Sequence, residues 1–131
     1  MKSEYKNSRR IVLKIGSALL TEQGTGILKT NWLNNLVREV AQLVHNGQEC
    51  LIVSSGAVAL GRDALTVDKA KATASLTLEQ KQAAASIGQV RLAQAYSEFF
   101  HHYNLHCGQI LLSLGDTEDR RSHLNARATI E

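Results

Sequence analysis

The sequence predicts an α/β fold built on a parallel sheet, and three observations carry that prediction. Two short, β-branched-rich apolar runs, Ile11 to Ile15 and Leu51 to Val53, each end in a glycine turn. A segment with apolar residues at helical spacing separates them. The connections on either side of it are short, which makes a strand-helix-strand unit whose strands run parallel and whose crossover is right-handed. A length of 131 residues with 44% hydrophobic content suits one core rather than two domains.

Taken in order, Ile11 to Ile15 reads as a buried strand broken by Gly16, with a loop continuing through Thr21, Gly24 and Gly26. Thr30 offers a side-chain oxygen for a helix N-cap. Trp32, Leu33, Leu36, Val37, Val40, Leu43 and Val44 then recur at helical spacing until Asn46-Gly47 supplies the stop. The second strand ends at Ser54-Ser55-Gly56-Ala57, and in a parallel sheet the ligand edge lies at such carboxyl ends. Arg62 to Ser75 is polar and alanine-rich, and reads as a helical turn with a connection. Thr77-Leu78-Glu79-Gln80 matches a capping box and opens a long helix through Ile87, Val90, Leu92, Ala95, Phe99 and Tyr103, ended by Asn104. Leu105 to Leu114 is expected as a third strand, Gly115-Asp116-Thr117 as a turn and N-cap, and Glu118 to Glu131 as a final helix.

Composition excludes several classes of function. The formal charge of +3 is spread from Lys2 to Arg127, and the cluster Arg120, Arg121 and Arg127 is interleaved with Glu118, Asp119 and Glu131, so no nucleic-acid footprint is expected. No apolar run approaches the roughly 18 residues that span a bilayer, and the amino terminus has no signal-peptide core. A soluble, cytoplasmic protein without a membrane partner is the expectation. Cys50 and Cys107 fall in the expected strands with no metal-ligand spacing around them, and are read as buried free thiols. His101, His102 and His106 are read as surface residues, since adjacent helical histidines point apart; no metal site is expected.

Two turns could carry chemistry. Lys14 stands near the end of an apolar strand, directly before Ile15-Gly16-Ser17, and a cation beside a glycine turn with free backbone N–H groups can cradle phosphate. The plainer account of Lys14 is a snorkelling or edge-strand lysine. Ser54-Ser55-Gly56-Ala57 ends the neighbouring strand, and its plainer account is a serine-capped strand-to-helix turn. Together the two turns would form a concave anion site. No P-loop, Gly-x-Gly-x-x-Gly or Gly-x-Ser-x-Gly pattern is present.

The residues also resemble a known family. Ile11 to Leu20, Val53-Ser54-Ser55-Gly56-Ala57-Val58-Ala59-Leu60-Gly61, Lys81-Gln82 with Ile87-Gly88-Gln89 and Arg91-Leu92, and Gln109-Ile110-Leu111-Leu112 with Asp116, Asp119-Arg120 and Leu124-Asn125-Ala126-Arg127 resemble, in order and spacing, four blocks of the glutamate 5-kinases. One departure is Ser113-Leu114, where the family has Thr-Arg.

The resemblance implies a three-layer αβα sandwich with a mostly parallel sheet, of which residues 1–131 are the amino-terminal, glutamate-binding part. The family's later blocks, which complete the glutamate and nucleotide sites, and the RNA-binding-like domain of many members do not occur in this sequence. It implies ATP and Mg2+ as cofactors, L-glutamate as acceptor, γ-glutamyl phosphate as product at the first step of proline biosynthesis, and a homo-oligomer. Lys14 would contact the ATP phosphates, with Gly16 and Ser17 beside it; Ser55 would hold glutamate, and Gly56 and Ala57 would shape that pocket. Another amino-acid kinase, or a non-catalytic remnant or partner subunit, are the competing readings.

Overall fold

In a computed structural model the chain is described at residues 7–22, 24–65 and 76–131. Its order is β1 (Arg10–Ile15), α1 (Ser17–Leu20), α2 (Thr30–His45), β2 (Glu49–Ser54), α3 (Ala57–Leu65), α4 (Leu78–His101), α5 (Leu114–Glu118) and α6 (Arg120–Ile130). The strands β1 and β2 pair in parallel with Ile11 opposite Cys50 and Ile15 opposite Ser54. The fold is therefore mixed α/β with a parallel sheet, as the strand-helix-strand pattern requires.

Alternation decides which face of the sheet is covered. Ile11, Leu13 and Ile15 share one face with Cys50, Ile52 and Ser54. Against that face pack Leu33, Val37 and Val40 of α2, Leu60 of α3, and Leu92, Ala95, Tyr96 and Phe100 of α4. Trp32 lies half-buried at the margin of the same cluster. Leu20, Leu33 and Val37 are the largest fully enclosed side chains, each worth about 1.5–3 kcal/mol of burial. On the opposite face Val12 is 60% and Val53 54% exposed. Among the described residues one helical layer covers one face, and a third layer is not seen.

Helix ends follow local chemistry. α2 stops in a Schellman arrangement, with the Gly47 N–H donating to the Val44 carbonyl at 2.9 Å and the Gln48 N–H to the Leu43 carbonyl at 3.1 Å. Its start differs from expectation: Lys29 is the N-cap and Thr30 the first helical residue, its hydroxyl turned back to the Leu28 carbonyl at 3.3 Å. The Thr77 capping box is formed, with Gln80 N–H to the Thr77 hydroxyl at 3.3 Å and Thr77 N–H to the Gln80 side chain at 3.0 Å. α4 ends at His101, and Asn104 takes the left-handed conformation, φ 57°, just beyond it. The expected turn over Arg62 to Ser75 divides: Arg62 to Leu65 completes α3, and residues 66–75 lie outside the described residues.

The carboxy-terminal expectations are corrected in three respects. Residues 105–113 form no strand. They run beside β2 across a groove lined by Cys50, Ile52, Tyr96, Leu105 and Ile110, with Ile110, Leu111 and Leu112 45%, 69% and 53% exposed. An apolar run becomes a strand only when its backbone finds a ladder partner, and none is engaged here. The cap lies at Ser113 rather than within Gly115-Asp116-Thr117, because Ser113 and Asp116 make a reciprocal box: Asp116 N–H to the Ser113 hydroxyl at 3.4 Å and Ser113 N–H to the Asp116 carboxylate at 2.7 Å. Asp119 then caps α6 by accepting from the Ser122 N–H at 2.8 Å. Finally, Cys107 is exposed and Cys50 only half-buried, so neither thiol is enclosed.

Candidate functional site

The parallel register brings the two glycine turns together. Ile15 pairs with Ser54 at the end of the ladder, and one residue later the Ser55 N–H donates to the Ile15 carbonyl at 3.0 Å. The Ser55 hydroxyl donates to the same carbonyl at 3.3 Å. That engagement leaves the hydroxyl oxygen as an acceptor; to donate to a ligand carboxylate it must rotate away from Ile15. Gly56 follows with φ 130°, a conformation that disfavours any side chain, and its α-carbon faces Ser17 and the Leu20 side chain. Its carbonyl accepts from the Leu60 N–H at 2.9 Å, so α3 springs directly from this turn.

On the other side the chain after α1 folds into a small ribbon. Thr21 is buried, donates its hydroxyl proton to the Ser17 carbonyl at 3.1 Å, and bridges antiparallel to Leu28. The Glu22 N–H reaches the Ile27 carbonyl at 2.9 Å. Gly26 lies so close to α3 that a Cβ there would fall 2.7 Å from the Ala59 carbonyl oxygen.

Between this ribbon and the start of α3 opens a cavity of about 570 Å³. Ser17, Thr21, Glu22, Ser55, Gly56 and Arg62 are among its walls. Ser17, Ser55, Gly56 and Ala57, singled out from sequence, thus meet at one site. Gly16 is the N-cap of α1, with ordinary φ of −78° and open space where a Cβ would stand. Lys14 lies outside the cavity walls: it is exposed, and its register partner Val53 places it on the uncovered face of the sheet. Thr21, Glu22 and Arg62 were missed. The spacing of Val58 and Arg62, four apart on α3, was the signal that could have found the arginine.

Among the described residues of its walls the cavity carries the Glu22 carboxylate on the ribbon and the Arg62 guanidinium on α3, together with hydroxyls and backbone. Such a set suits a small polar ligand bearing charge. In the groove beside β2, Tyr96 donates to the Ser54 hydroxyl at 3.3 Å, and burial pushes the Tyr96 phenol above its usual range. Among the described residues no group of three or more His, Cys, Asp or Glu is placed to hold a metal ion. No helix of the described residues is long and apolar enough to cross a membrane.

The profile of the amino acid kinase family matches residues 9–131, nearly the whole chain. The chain belongs to the amino acid kinase family. It is 52% identical over 131 residues to the glutamate 5-kinase of Brucella anthropi, and 52% identical to those of Brucella ovis and Brucella abortus. Each alignment covers all of this chain and 33% of the relative, so the chain spans about a third of the length of the curated relatives it matches.

Proposed function

We propose that the chain is the acceptor-binding part of a glutamate 5-kinase, with the cavity between the 21–28 ribbon and α3 as the seat of L-glutamate. The observation that carries this reading is the meeting of Ser17 with Ser55-Gly56-Ala57 at the carboxyl ends of two paired parallel strands, in a member of the amino acid kinase family whose glutamate 5-kinase relatives match it end to end. Ser55 and Arg62 are the groups on the cavity wall suited to a carboxylate, once the serine hydroxyl turns from Ile15.

The chemistry is in-line attack of a γ-carboxylate oxygen on the γ-phosphoryl of ATP. The new O–P bond forms as the bond to the leaving ADP oxygen breaks, and the product is γ-glutamyl phosphate, the start of proline biosynthesis. A carboxylate with an ordinary pKa near 4.3 is already ionised at neutral pH, so positioning and charge neutralisation dominate over general-base work. Lys14, Gly16 and Ser17 are the proposed phosphate side; Lys14 can serve it from the outer face of the sheet. The chain offers no cage for Mg2+ among its described residues, and the ion would be carried by the phosphates. Completion of the sheet into a three-layer sandwich, a cytoplasmic setting and a homo-oligomer belong to the same reading.

A hydroxamate assay for γ-glutamyl phosphate tests it, run on the chain alone and on the chain joined in frame to the part of the Brucella abortus relative that it does not match. The chain alone is expected to be inactive and the joined protein active with glutamate. A joined protein that phosphorylates aspartate, carbamate or UMP in preference to glutamate would instead mark a different member of the family.

A further inference from the structure

α3 carries the Ser55-Gly56-Ala57 turn at its amino end, and the whole helix is gripped by backbone. On α4, Gly88 sits against the Ala57 carbonyl: a Cβ there would overlap that oxygen and lie 2.7 Å from the Ala57 carbonyl carbon and from the Gly61 nitrogen. The relation is reciprocal, because a Cβ at Gly61 would overlap the Ala84 carbonyl oxygen and lie 2.8 Å from the Ala84 carbonyl carbon and from the Gly88 nitrogen. Ala57 and Gly61 are four apart on α3, as Ala84 and Gly88 are on α4, so the two helices meet along a shared strip of small residues, backbone to backbone at the two glycines. Across the helix, Gly26 presses on the Ala59 carbonyl. Arg91 adds a polar tie, donating to the Leu60 carbonyl at 2.6 Å and to the Asp63 carboxylate at 2.6 Å.

We propose that Gly61, Gly88 and Arg91 are positioning residues for the acceptor cavity, fixing where α3 begins and so where Ser55, Gly56 and Ala57 stand. The atoms a Cβ would meet are backbone, which cannot rotate aside, so a side chain at either glycine must move one helix from the other. β2 is anchored through Ser55 to Ile15, and the displacement therefore concentrates at the Gly56 hinge between strand and helix. A misplacement on the ångström scale can change a binding or catalytic constant by ten- to a hundredfold. The proposal rests on the cavity being the glutamate site for its effect on affinity, but not for its effect on geometry. It also gives a physical task to Gly88 and Arg91, which belong to the long-helix motif and lie outside the cavity wall.

The test uses the isotope-labelled 131-residue chain and reads the backbone amide resonances of Ser55, Gly56 and Ala57 with and without L-glutamate. Gly88→Ala is compared with Val37→Ala, which loosens the core away from α3. The expected result is that Gly88→Ala moves the three amides before any ligand is added and weakens glutamate binding about tenfold or more, while Val37→Ala lowers the melting temperature and leaves both unchanged. Should Gly88→Ala fail to fold, Arg91→Gln removes the tie without a clash and is expected to shift the same amides by less. A folded Gly88→Ala with those amides at their wild-type positions overturns the proposal, as do unmoved amides in Arg91→Gln where that variant decides, or an equal loss of affinity in Val37→Ala. If the wild-type chain shows no response to glutamate, the affinity comparison is made in the joined protein, where a glutamate KM unchanged by Gly88→Ala overturns the effect on affinity, and the ligand-free amide positions judge the clamp in either case.

Discussion

Ser55 is held at both its backbone N–H and its hydroxyl by one carbonyl, that of Ile15. Replacing it by alanine removes one neutral hydrogen bond, at about 0.5–1.5 kcal/mol of stability, and one contact to a charged ligand, at about 1.5–3 kcal/mol of binding. In the joined enzyme Ser55→Ala should therefore raise the KM for glutamate roughly ten- to hundredfold and leave that for ATP nearly unchanged. A selective effect on ATP would transfer the serine to the phosphate side. Lys14 makes the complementary case, because its exposure separates chemistry from folding. Lys14→Ala should leave the melting temperature unaltered and reduce turnover on the order of a hundredfold, the scale of losing one preorganised electrostatic contact. A variant with near-normal turnover would return Lys14 to the role of an edge-strand lysine. Ser17, Ser55, Gly56 and Ala57 could be found in the sequence because strand ends advertise themselves by apolar runs that stop at glycine. Glu22 could not, since its place depends on how the ribbon around Thr21 and Leu28 folds back on α3; Arg62 could, through its helical spacing from Val58.

At the scale of the element, the caps decide how the carboxy-terminal third responds to acid. The hydrogen bond from the Ser113 side chain holds the Asp116 carboxyl below its ordinary value, 3.8, and the Ser122 backbone N–H does the same for Asp119. A depressed folded-state pKa gives stability that is present above the unfolded value and is lost as pH falls through the folded one. Amide signals of α5 and α6 are thus expected to fade below about pH 4, before those of α2 and α4. A single transition shared by all helices would contradict the local role of these caps. Thr77→Ala removes the hydroxyl of the other box, and should cost about 1 kcal/mol with loss of amide protection at the start of α4. α2 was legible from its period and its Asn46-Gly47 stop, though not from its cap, and α4 from its period and the Thr77 capping box. Leu105 to Leu114 was not, because an apolar run states that it needs a partner without saying whether one is present. The glycine contacts between α3 and α4 were equally hidden, since a glycine in a helix does not reveal what lies across from it.

Among the described residues the sheet has two strands with helices on one side, and its other side carries Val12 and Val53. Sheets of two strands are marginal unless packed, and an unpaired edge with a bare apolar face invites association. The isolated chain is expected to self-associate in sedimentation velocity as its concentration rises. The double variant Val12→Lys with Val53→Lys should remain monomeric over the same range with its helical signal intact. Persistent association of that variant would place the contact elsewhere, for instance along residues 105–112. The parallel pair and the long helices α2 and α4 were readable from the alternation of periods, whereas α1, read as loop, and α5, read as strand end and turn, were not. The number of covering layers was not, because exposure of a strand face is a property of what packs on it.

Trp32 is the only tryptophan of the chain, and its half-buried place beside the core cluster makes it a built-in optical reporter. Its indole samples the docking of α2 on the sheet, while α5 and α6 lie in a different part of the chain. Fluorescence and far-ultraviolet dichroism should consequently record different events on heating: emission shifts to the red when α2 leaves the sheet, whereas ellipticity falls earlier as the carboxy-terminal helices fray. Unmodified chain, followed by two wavelengths in one cuvette, would thus resolve the melting of its amino-terminal core from that of its tail.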